Sequence, residues 1–181
     1  TVLKPYHSPI LPISQSPINV PVSIGDAGCG RYVLGQAEVT VAPSPAAISD
    51  RLTAAGVRPI NNVVDVTNYV MLEMGHPMHA FDVARLSGPE IRVHRARAGD
   101  LLRTLDGQRR TLDETMLVIA DRERSVAIAG VMGGAESEVS AGTTRIVIES
   151  AWFQPASVRA TSRKLGLKTE ASMRFERGAD I

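Results

Sequence analysis

Six short β-strand patterns follow one another between Ile91 and Ser150, and helical patterns lie before and after them. The six patterns cover residues 91–95, 101–105, 108–112, 116–120, 126–129 and 145–150. Asp106-Gly107 separates two of them, and this dipeptide is typical of a two-residue β-hairpin turn. Strands that are grouped, rather than alternating with helices, favour an α+β domain over a doubly wound parallel sheet. The sequence therefore predicts a layered sandwich of sheet and helix.

Three helices are predicted from apolar spacing and from end signals. The first covers about residues 45–55, with Ser44 as its N-cap. The second covers residues 62–74, with Asn62 as its N-cap, although its β-branched residues would also suit a strand. The third covers residues 155–165 and begins at a proline. A glycine follows each helix, as is common where helices end.

The two ends of the chain give weaker signals. Residues 1–17 carry four prolines at near-regular spacing, which predicts an extended arm or linker before a single domain over residues 18–181. Residues 18–24 and 31–42 are rich in Val and Ile with glycines between them, which predicts a hairpin with a long turn. The last polar segment, from residue 168 onward, has no clear periodicity, so no element is predicted there.

Composition excludes several classes of protein. The single cysteine, Cys29, excludes an internal disulfide and a multi-cysteine zinc site, and it suits a reducing, cytoplasmic compartment. The net charge of +1 argues against a protein that grips nucleic acid over its whole surface. No apolar run approaches the length of about 18 residues that a membrane span needs, so no membrane partner is expected. The absence of an initiator Met leads us to expect a segment of a longer chain.

The stretch from residue 61 to residue 82 contains the most distinctive polar residues. His76 and His79 flank Pro77, so both are predicted to lie in an irregular loop after the second helix. His76, His79 and Asp82 are spaced three apart, which allows a metal site, but Pro77 interrupts the helical face that would bring them together. No metal is therefore expected. His79 remains either a polar site residue or a structural histidine.

Two further positions have both a functional and a structural interpretation. The glycine-rich segment 129–135 could let backbone groups approach a ligand, or could form tight turns between strands. Glu149 ends an apolar strand pattern, where an unpaired carboxylate is costly. It should therefore meet either a hydroxyl-bearing ligand or an arginine in an internal salt bridge. The basic residues of the C-terminal third form either a solvated face or contacts to an RNA backbone.

Three long segments together resemble a known family. They are INNVVDVTNYVMLEMGHPMHAFD at residues 60–82, AGVMGGAESEV at 129–139 and KTEASMRFERG at 168–178. In this order they are similar to the β subunits of bacterial phenylalanyl-tRNA synthetases, with a match from about Arg58 to Asp180. The resemblance implies a three-layer β/β/α sandwich with mixed, mainly antiparallel sheets that holds the editing site of the enzyme.

The resemblance also implies an activity and its residues. Editing hydrolyses tyrosine that has been esterified by mistake to the phenylalanine tRNA. Its catalytic positions correspond to His79 and Thr169, and its substrate-binding positions to Asn68, Gly130, Glu149 and Ala171. This segment needs no cofactor, whereas the parent enzyme uses ATP and Mg²⁺. The implied partners are the acceptor end of tRNA(Phe), the tyrosine moiety and the α subunit of an (αβ)2 heterotetramer. The alternative is a non-catalytic RNA-binding or subunit-assembly module.

Overall fold

The computed structural model describes residues 20–178, so the proline-rich arm predicted over residues 1–17 lies outside the described residues. In chain order the elements are β1 Val22–Ile24, β2 Cys29–Glu38, α1 Ala46–Ala54, α2 Asn62–Met74, β3 Met78–Asp82, β4 Ile91–Arg95, β5 Leu101–Arg103, β6 Arg109–Thr111, β7 Leu117–Ala120, β8 Ser125–Ile128, β9 Met132–Gly133, β10 Arg145–Phe153, α3 Pro155–Leu165 and α4 Glu170–Phe175. None of the helices in this described part has the length and apolarity to cross a membrane.

The strands form three sheets. The largest has the order β1-β4-β7-β8-β9, the second has the order β2-β10-β3, and β5 pairs with β6 in a short ribbon. The pairing of β1 with β4 is parallel, and the pairings β4-β7, β7-β8, β8-β9, β10-β2, β10-β3 and β5-β6 are antiparallel. Gly107, with φ of +79°, lies in the turn of the β5-β6 ribbon, which confirms the hairpin predicted at Asp106-Gly107.

Strand β10 separates two apolar cores because successive side chains of a strand point to opposite faces. Val147, Ala151 and Phe153 are buried in the larger core, together with the apolar residues of the five-stranded sheet. Ile146 faces the other way and packs with Val63 of α2 in a second core. The layers are therefore the five-stranded sheet, the three-stranded sheet and the helices. This arrangement confirms the predicted α+β fold and its β/β/α layers.

The hairpin predicted for residues 18–24 and 31–42 is wrong. β1 pairs with β4 in the five-stranded sheet, and β2 pairs with β10 in the other sheet. The intervening turn carries the chain from one layer to the next, and it is tied by an ion pair of 2.9 Å between Asp26 and Arg95. Local β propensity identified the strands but could not identify their partners, because the partners lie far away in the sequence.

The helix bounds are close to those predicted, but the caps differ. The N-cap of α2 is Asn61, whose side chain accepts hydrogen bonds from the backbone N–H groups of Val63 and Val64. Asn62 instead bonds the backbone of the preceding segment, at Ala42 and Thr40. Ser44 does not cap α1, because its hydroxyl donates to Asp65 at 2.5 Å. Neighbouring polar residues compete for such roles, and the tertiary contacts decide between them.

Three elements were not predicted. His79 lies in strand β3, not in a loop, because residues 78–82 pair with β10. The two-residue strand β9 lies within the glycine-rich segment, and the short helix α4 lies within the final polar segment. A capping box between Thr169 and Ser172 fixes the start of α4. With six residues, α4 is too short to show an apolar period.

Candidate functional site

A cavity of about 70 Å³ lies between the two larger sheets. Its walls are mainly apolar, and both sheets, the glycine-rich turn and α4 contribute to them. The lining residues are Pro77, Met78, His79, Ile119, Ala127, Ile128, Gly130, Val131, Met132, Gly133, Glu149, Ala171 and Phe175. Four of the six predicted site residues, His79, Gly130, Glu149 and Ala171, are thus brought together although they are remote in the sequence.

Glu149 on β10 and His79 on β3 lie side by side on adjacent strands. They are directly opposite each other in the antiparallel pairing of β10 with β3. Opposite residues of an antiparallel pair project from the same face of the sheet, and this face is the one that covers the larger core. The polar groups of the cavity are therefore placed by a regular sheet, where the backbone fixes their separation.

Glu149 places a carboxyl group at a buried position where an apolar side chain would be expected. Only 6% of its surface is exposed. The described residues contain no salt bridge to it, so the predicted alternative of an arginine partner is wrong. Its partner is the Tyr32 hydroxyl, which donates to Oε2 at 3.1 Å. Burial raises the pKa of Glu149 to about 8, and the bond from Tyr32 lowers it only in part. The carboxyl group is therefore mostly protonated at pH 7.

His79 is half-buried, and its imidazole has no strong partner among the described residues. Its Nε2 atom has no hydrogen-bond partner within residues 20–178, and its ring meets the Phe81 ring edge-on at a centroid distance of 4.6 Å. Burial lowers the pKa of His79 to about 4, so the ring is neutral at pH 7. A Cβ atom on Gly133 would lie 2.7 Å from Nε2. The glycine in β9 therefore leaves the space that the imidazole fills.

The metal alternative finds no support in the geometry. Among residues 20–178, no group of three or more His, Cys, Asp or Glu side chains could hold a metal ion. Asp82 accepts a hydrogen bond of 2.6 Å from the Thr143 hydroxyl and another from the backbone N–H of Ala84. The Asp82 carboxylate thus accepts hydrogen bonds at the end of β3, whereas His79 faces the cavity.

Gly130 occupies a tight turn between β8 and β9. Its φ is +69°, and the N–H of Val131 donates to the carbonyl of Ile128 across the turn. The interpretation of this segment as a tight turn is therefore confirmed. A Cβ atom on Gly130 would point at Val158, Phe153 and Phe175, with distances of 3.0 to 3.1 Å. The missing side chain serves the turn and the core, and substrate binding by Gly130 remains a prediction.

Thr169 and Asn68 do not line the cavity among the described residues. The Thr169 hydroxyl donates to the carbonyl of Val131 at 2.8 Å and accepts from the N–H of Ser172 at 3.0 Å. Thr169 thus connects α4 to the cavity wall. Asn68 lies half-buried on α2. The catalytic role of Thr169 and the binding role of Asn68 remain predictions.

The sequence interpretation overlooked Tyr32, Gly133 and Phe175, which complete the site. Tyr32 and Leu34 alternate along β2 on the face that packs against the larger core. That alternation was a usable signal, because an inward-facing tyrosine needs a partner for its hydroxyl. No comparable signal distinguishes Gly133 from the glycines beside it.

Three basic residues of the C-terminal third are engaged in ion pairs. The pairs are Arg159 with Glu176 at 3.9 Å, Lys164 with Asp113 at 2.8 Å, and Arg174 with Glu170 at 2.6 Å. The lysine and arginine side chains are partly exposed, as expected for a solvated face. This pattern gives little support to an RNA-binding role for these residues.

Comparison with known proteins identifies the family. The B3/4 domain model matches residues 28–181. A phenylalanine–tRNA ligase β subunit from Carboxydothermus hydrogenoformans is 53% identical over 175 residues, which cover 96% of this chain and 22% of that subunit. The β subunit from Anaeromyxobacter dehalogenans is 58% identical over 153 residues, which cover 84% of this chain and 19% of that subunit. The chain thus spans about a fifth of the length of the curated relatives it matches.

A solved structure supports the fold. An N-terminal fragment of the phenylalanyl-tRNA synthetase β subunit from Pyrococcus horikoshii has a TM-score of 0.51 at 14% identity, covering 83% of this chain and 50% of that one. At this identity the likeness concerns the fold alone. The family model, in contrast, covers most of the chain. The chain therefore belongs to the B3/4 domain family, which is found in phenylalanine–tRNA ligase β subunits.

Proposed function

We propose that this domain hydrolyses tyrosine wrongly esterified to tRNA(Phe). The observation that carries the proposal is Glu149, a buried carboxyl group without a cation among the described residues, which lines a mainly apolar cavity beside His79. The apolar walls suit the aromatic ring of the substrate, and the cavity of about 70 Å³ must widen to admit it, since a cavity of about 150 Å³ holds benzene. Glu149 suits its phenol. The similarity to phenylalanine–tRNA ligase β subunits supports a substrate that is aromatic and attached to tRNA.

The physical problem that such a site solves is the difference of one hydroxyl between phenylalanine and tyrosine. A mainly apolar synthetic pocket rejects an added hydroxyl by only about a hundredfold. A site that hydrogen-bonds the hydroxyl can discriminate by roughly 10⁴ to 10⁵, because the shorter analogue leaves a buried polar group unpaired. Glu149 is that polar group in the proposal, since burial makes an unpaired carboxyl group costly.

The proposed reaction requires little chemical assistance, because an aminoacyl ester is already reactive. Orienting a water molecule and stabilising the developing oxyanion would suffice. A pKa of about 4 makes the His79 imidazole a weak base at neutral pH. We therefore assign His79 to the orientation of water or of the terminal ribose, through its unpartnered Nε2 atom. Thr169 would hold α4 in place and bring the backbone near Val131 to the same point.

In this proposal the domain is one part of a larger enzyme. Synthesis of phenylalanyl-tRNA, with ATP and Mg²⁺, would occur elsewhere in an (αβ)2 assembly. The acceptor end of tRNA(Phe) would reach this domain after the synthetic reaction. Asn68, Gly130 and Ala171 would contribute to binding of the ester. No cofactor enters the hydrolysis as we propose it.

The test is a deacylation assay with the full-length ligase, using Tyr-tRNA(Phe) and Phe-tRNA(Phe). The unmutated enzyme is expected to hydrolyse the tyrosyl ester much faster, and Glu149→Ala to remove most of this preference. Glu114→Ala removes an exposed carboxylate outside the cavity lining and serves as the matched control. Equal hydrolysis of both esters by the unmutated enzyme would contradict the phenol role. Binding of tRNA without hydrolysis in any context would favour a non-catalytic RNA-binding module.

A further inference from the structure

Tyr32 faces the same core as Glu149. In the pairing of β2 with β10, Leu34 is opposite Glu149 and Tyr32 is opposite Ala151, so Tyr32 reaches Glu149 diagonally. Its hydroxyl donates to Oε2 of Glu149 at 3.1 Å. Burial and the neighbouring carboxyl group raise the pKa of Tyr32 well above its usual value. The phenol therefore keeps its proton and acts as the donor.

The two oxygens of Glu149 are not equivalent. Tyr32 is the one hydrogen-bond donor to this side chain among the described residues, and it binds Oε2. Oε1 has no partner in the part of the chain that the structure describes, and the side chain that carries it lines the cavity. The hydrogen bond from Tyr32 to one oxygen restricts rotation of the carboxyl group and so favours one direction for its second oxygen. This direction matters because hydrogen bonds weaken steeply when they are misaligned.

We infer that Tyr32 is a positioning residue for substrate recognition: its hydroxyl holds Oε2 of Glu149 and thereby presents Oε1 to the phenol of a bound tyrosyl group. The inference rests on the proposed hydrolysis of Tyr-tRNA(Phe), and it adds the residue that sets the geometry of recognition. One carboxyl group then joins two phenols, one from the protein and one from the substrate. A phenylalanyl group supplies no second phenol and leaves Oε1 unpaired.

The variant Tyr32→Phe tests the inference in the full-length ligase. It removes one oxygen and leaves the ring in place. The kcat/KM for hydrolysis of Tyr-tRNA(Phe) is expected to fall about tenfold, the effect of losing one aligned hydrogen bond. Hydrolysis of Phe-tRNA(Phe) is expected to change by less than about twofold, because Phe makes no contact to Oε1. The ratio of the two rates therefore falls. A merely structural role would lower both rates in proportion.

Tyr69→Phe is the matched control. Tyr69 lies on α2, and its hydroxyl accepts a hydrogen bond of 2.5 Å from Arg51. The control removes a hydrogen-bonded phenolic hydroxyl outside the cavity lining, and it should leave the ratio unchanged. If Glu149→Ala removes the preference for tyrosine while Tyr32→Phe retains it, the inference is wrong and the proposed function stands. If Glu149→Ala also retains the preference, the proposed function itself fails.

A structure of the unmutated ligase with bound L-tyrosine gives a second test that does not depend on the folding of a variant. We expect the ligand phenol on Oε1 and the Tyr32 hydroxyl still on Oε2. A complex in which Tyr32 leaves Glu149 and the ligand phenol takes its place on Oε2 would overturn the inference. In that case Tyr32 would take the place of the substrate phenol when no substrate is bound.

Discussion

At the scale of single residues, an acid and a base share the cavity, and burial makes both of them neutral at pH 7. Burial raises the pKa of Glu149 to about 8 and lowers that of His79 to about 4. Both shifts have the same cause, since a low-dielectric site disfavours the charged form of either group. The cavity therefore holds hydrogen-bonding groups without net charge, which suits an aromatic ring with a single hydroxyl.

The shifted pKa of His79 predicts a loss of stability in acid. The folded-state pKa of about 4 lies below the ordinary value of 6.5, so the unfolded chain takes up a proton first as the pH falls. The contribution of neutral His79 to the free energy of unfolding is therefore complete above about pH 6.5. As the pH falls towards 4, this contribution decreases by on the order of 3 kcal/mol. The raised pKa of Glu149 acts in the opposite direction over the same pH range, and it is present in both proteins. Urea unfolding at several pH values should therefore show the free energy of unfolding of the unmutated protein falling relative to that of His79→Asn as the pH is lowered from about 7 to 4. Parallel curves for the two proteins would contradict the assignment.

Gly133 provides a second prediction at this scale. In Gly133→Ala the new Cβ atom would lie 2.5 Å from Cε1 of the His79 ring, so either the ring or β9 must move. We expect a loss of about 1–3 kcal/mol in the free energy of unfolding, as is usual for overpacking. Gly35→Ala, also in a strand, meets nothing within 4 Å and should change stability by less than about 0.5 kcal/mol. The measurement is the urea midpoint of each variant, and equal losses would exclude the clash with His79.

At the scale of elements, local signals predicted some parts of the fold well. The bounds of α2, α3 and β4 agree with the predictions, because a glycine ends each helix and Ile91 and Val93 alternate with polar residues along the strand. The pairing of β1 with β4 was not predictable in this way, since the partner of a strand is set by the whole sheet. Strand β3 was missed because its regular pairing depends on β10, which follows much later in the sequence.

In the candidate site, too, local sequence predicted some features, whereas others depend on residues far away in the chain. The apolar pattern around Glu149 predicted a buried carboxyl group in need of a partner, and the structure places it in the larger core. The pattern did not identify Tyr32, which is 117 residues away, as that partner. Local pattern singled out His79 and Glu149, and the family resemblance assigned their roles, but their adjacency follows from strand register. Register is set by turns and packing that no spacing rule within the sequence reveals.

Thr169 provides a prediction about how α4 is attached. Its hydroxyl both caps the helix and binds the carbonyl of Val131 in the glycine-rich turn. Thr169→Ala should lower the free energy of unfolding by about 1 kcal/mol or more, because a helix cap and a tertiary hydrogen bond are lost together. Thr169→Ser keeps the hydroxyl and should retain most of the stability. The measurement is the free energy of unfolding of both variants, from thermal and urea unfolding. If Thr169→Ser is destabilised as much as Thr169→Ala, the methyl group and not the hydroxyl makes the contribution.

At the scale of the whole molecule, the cavity belongs to no single layer. The three-stranded sheet supplies His79 and Glu149, the five-stranded sheet supplies the opposite wall, and α4 contributes Ala171 and Phe175. Each wall is anchored in the larger apolar core, so the site forms only when both sheets have packed against each other. This arrangement keeps the polar groups at fixed positions on regular strands, as preorganised recognition requires.

The central place of β10 also has a consequence for how the protein is made. Strands β2 and β3 flank β10 on its two sides, and both leave the ribosome before it. Until residues 145–153 emerge, each of these strands lacks its partner and exposes an open edge, the kind of surface that promotes association between nascent chains. The arrival of one late strand then closes both edges at once and brings Glu149 beside His79. The proposed proofreading centre would therefore be absent until residues 145–153 have been synthesised.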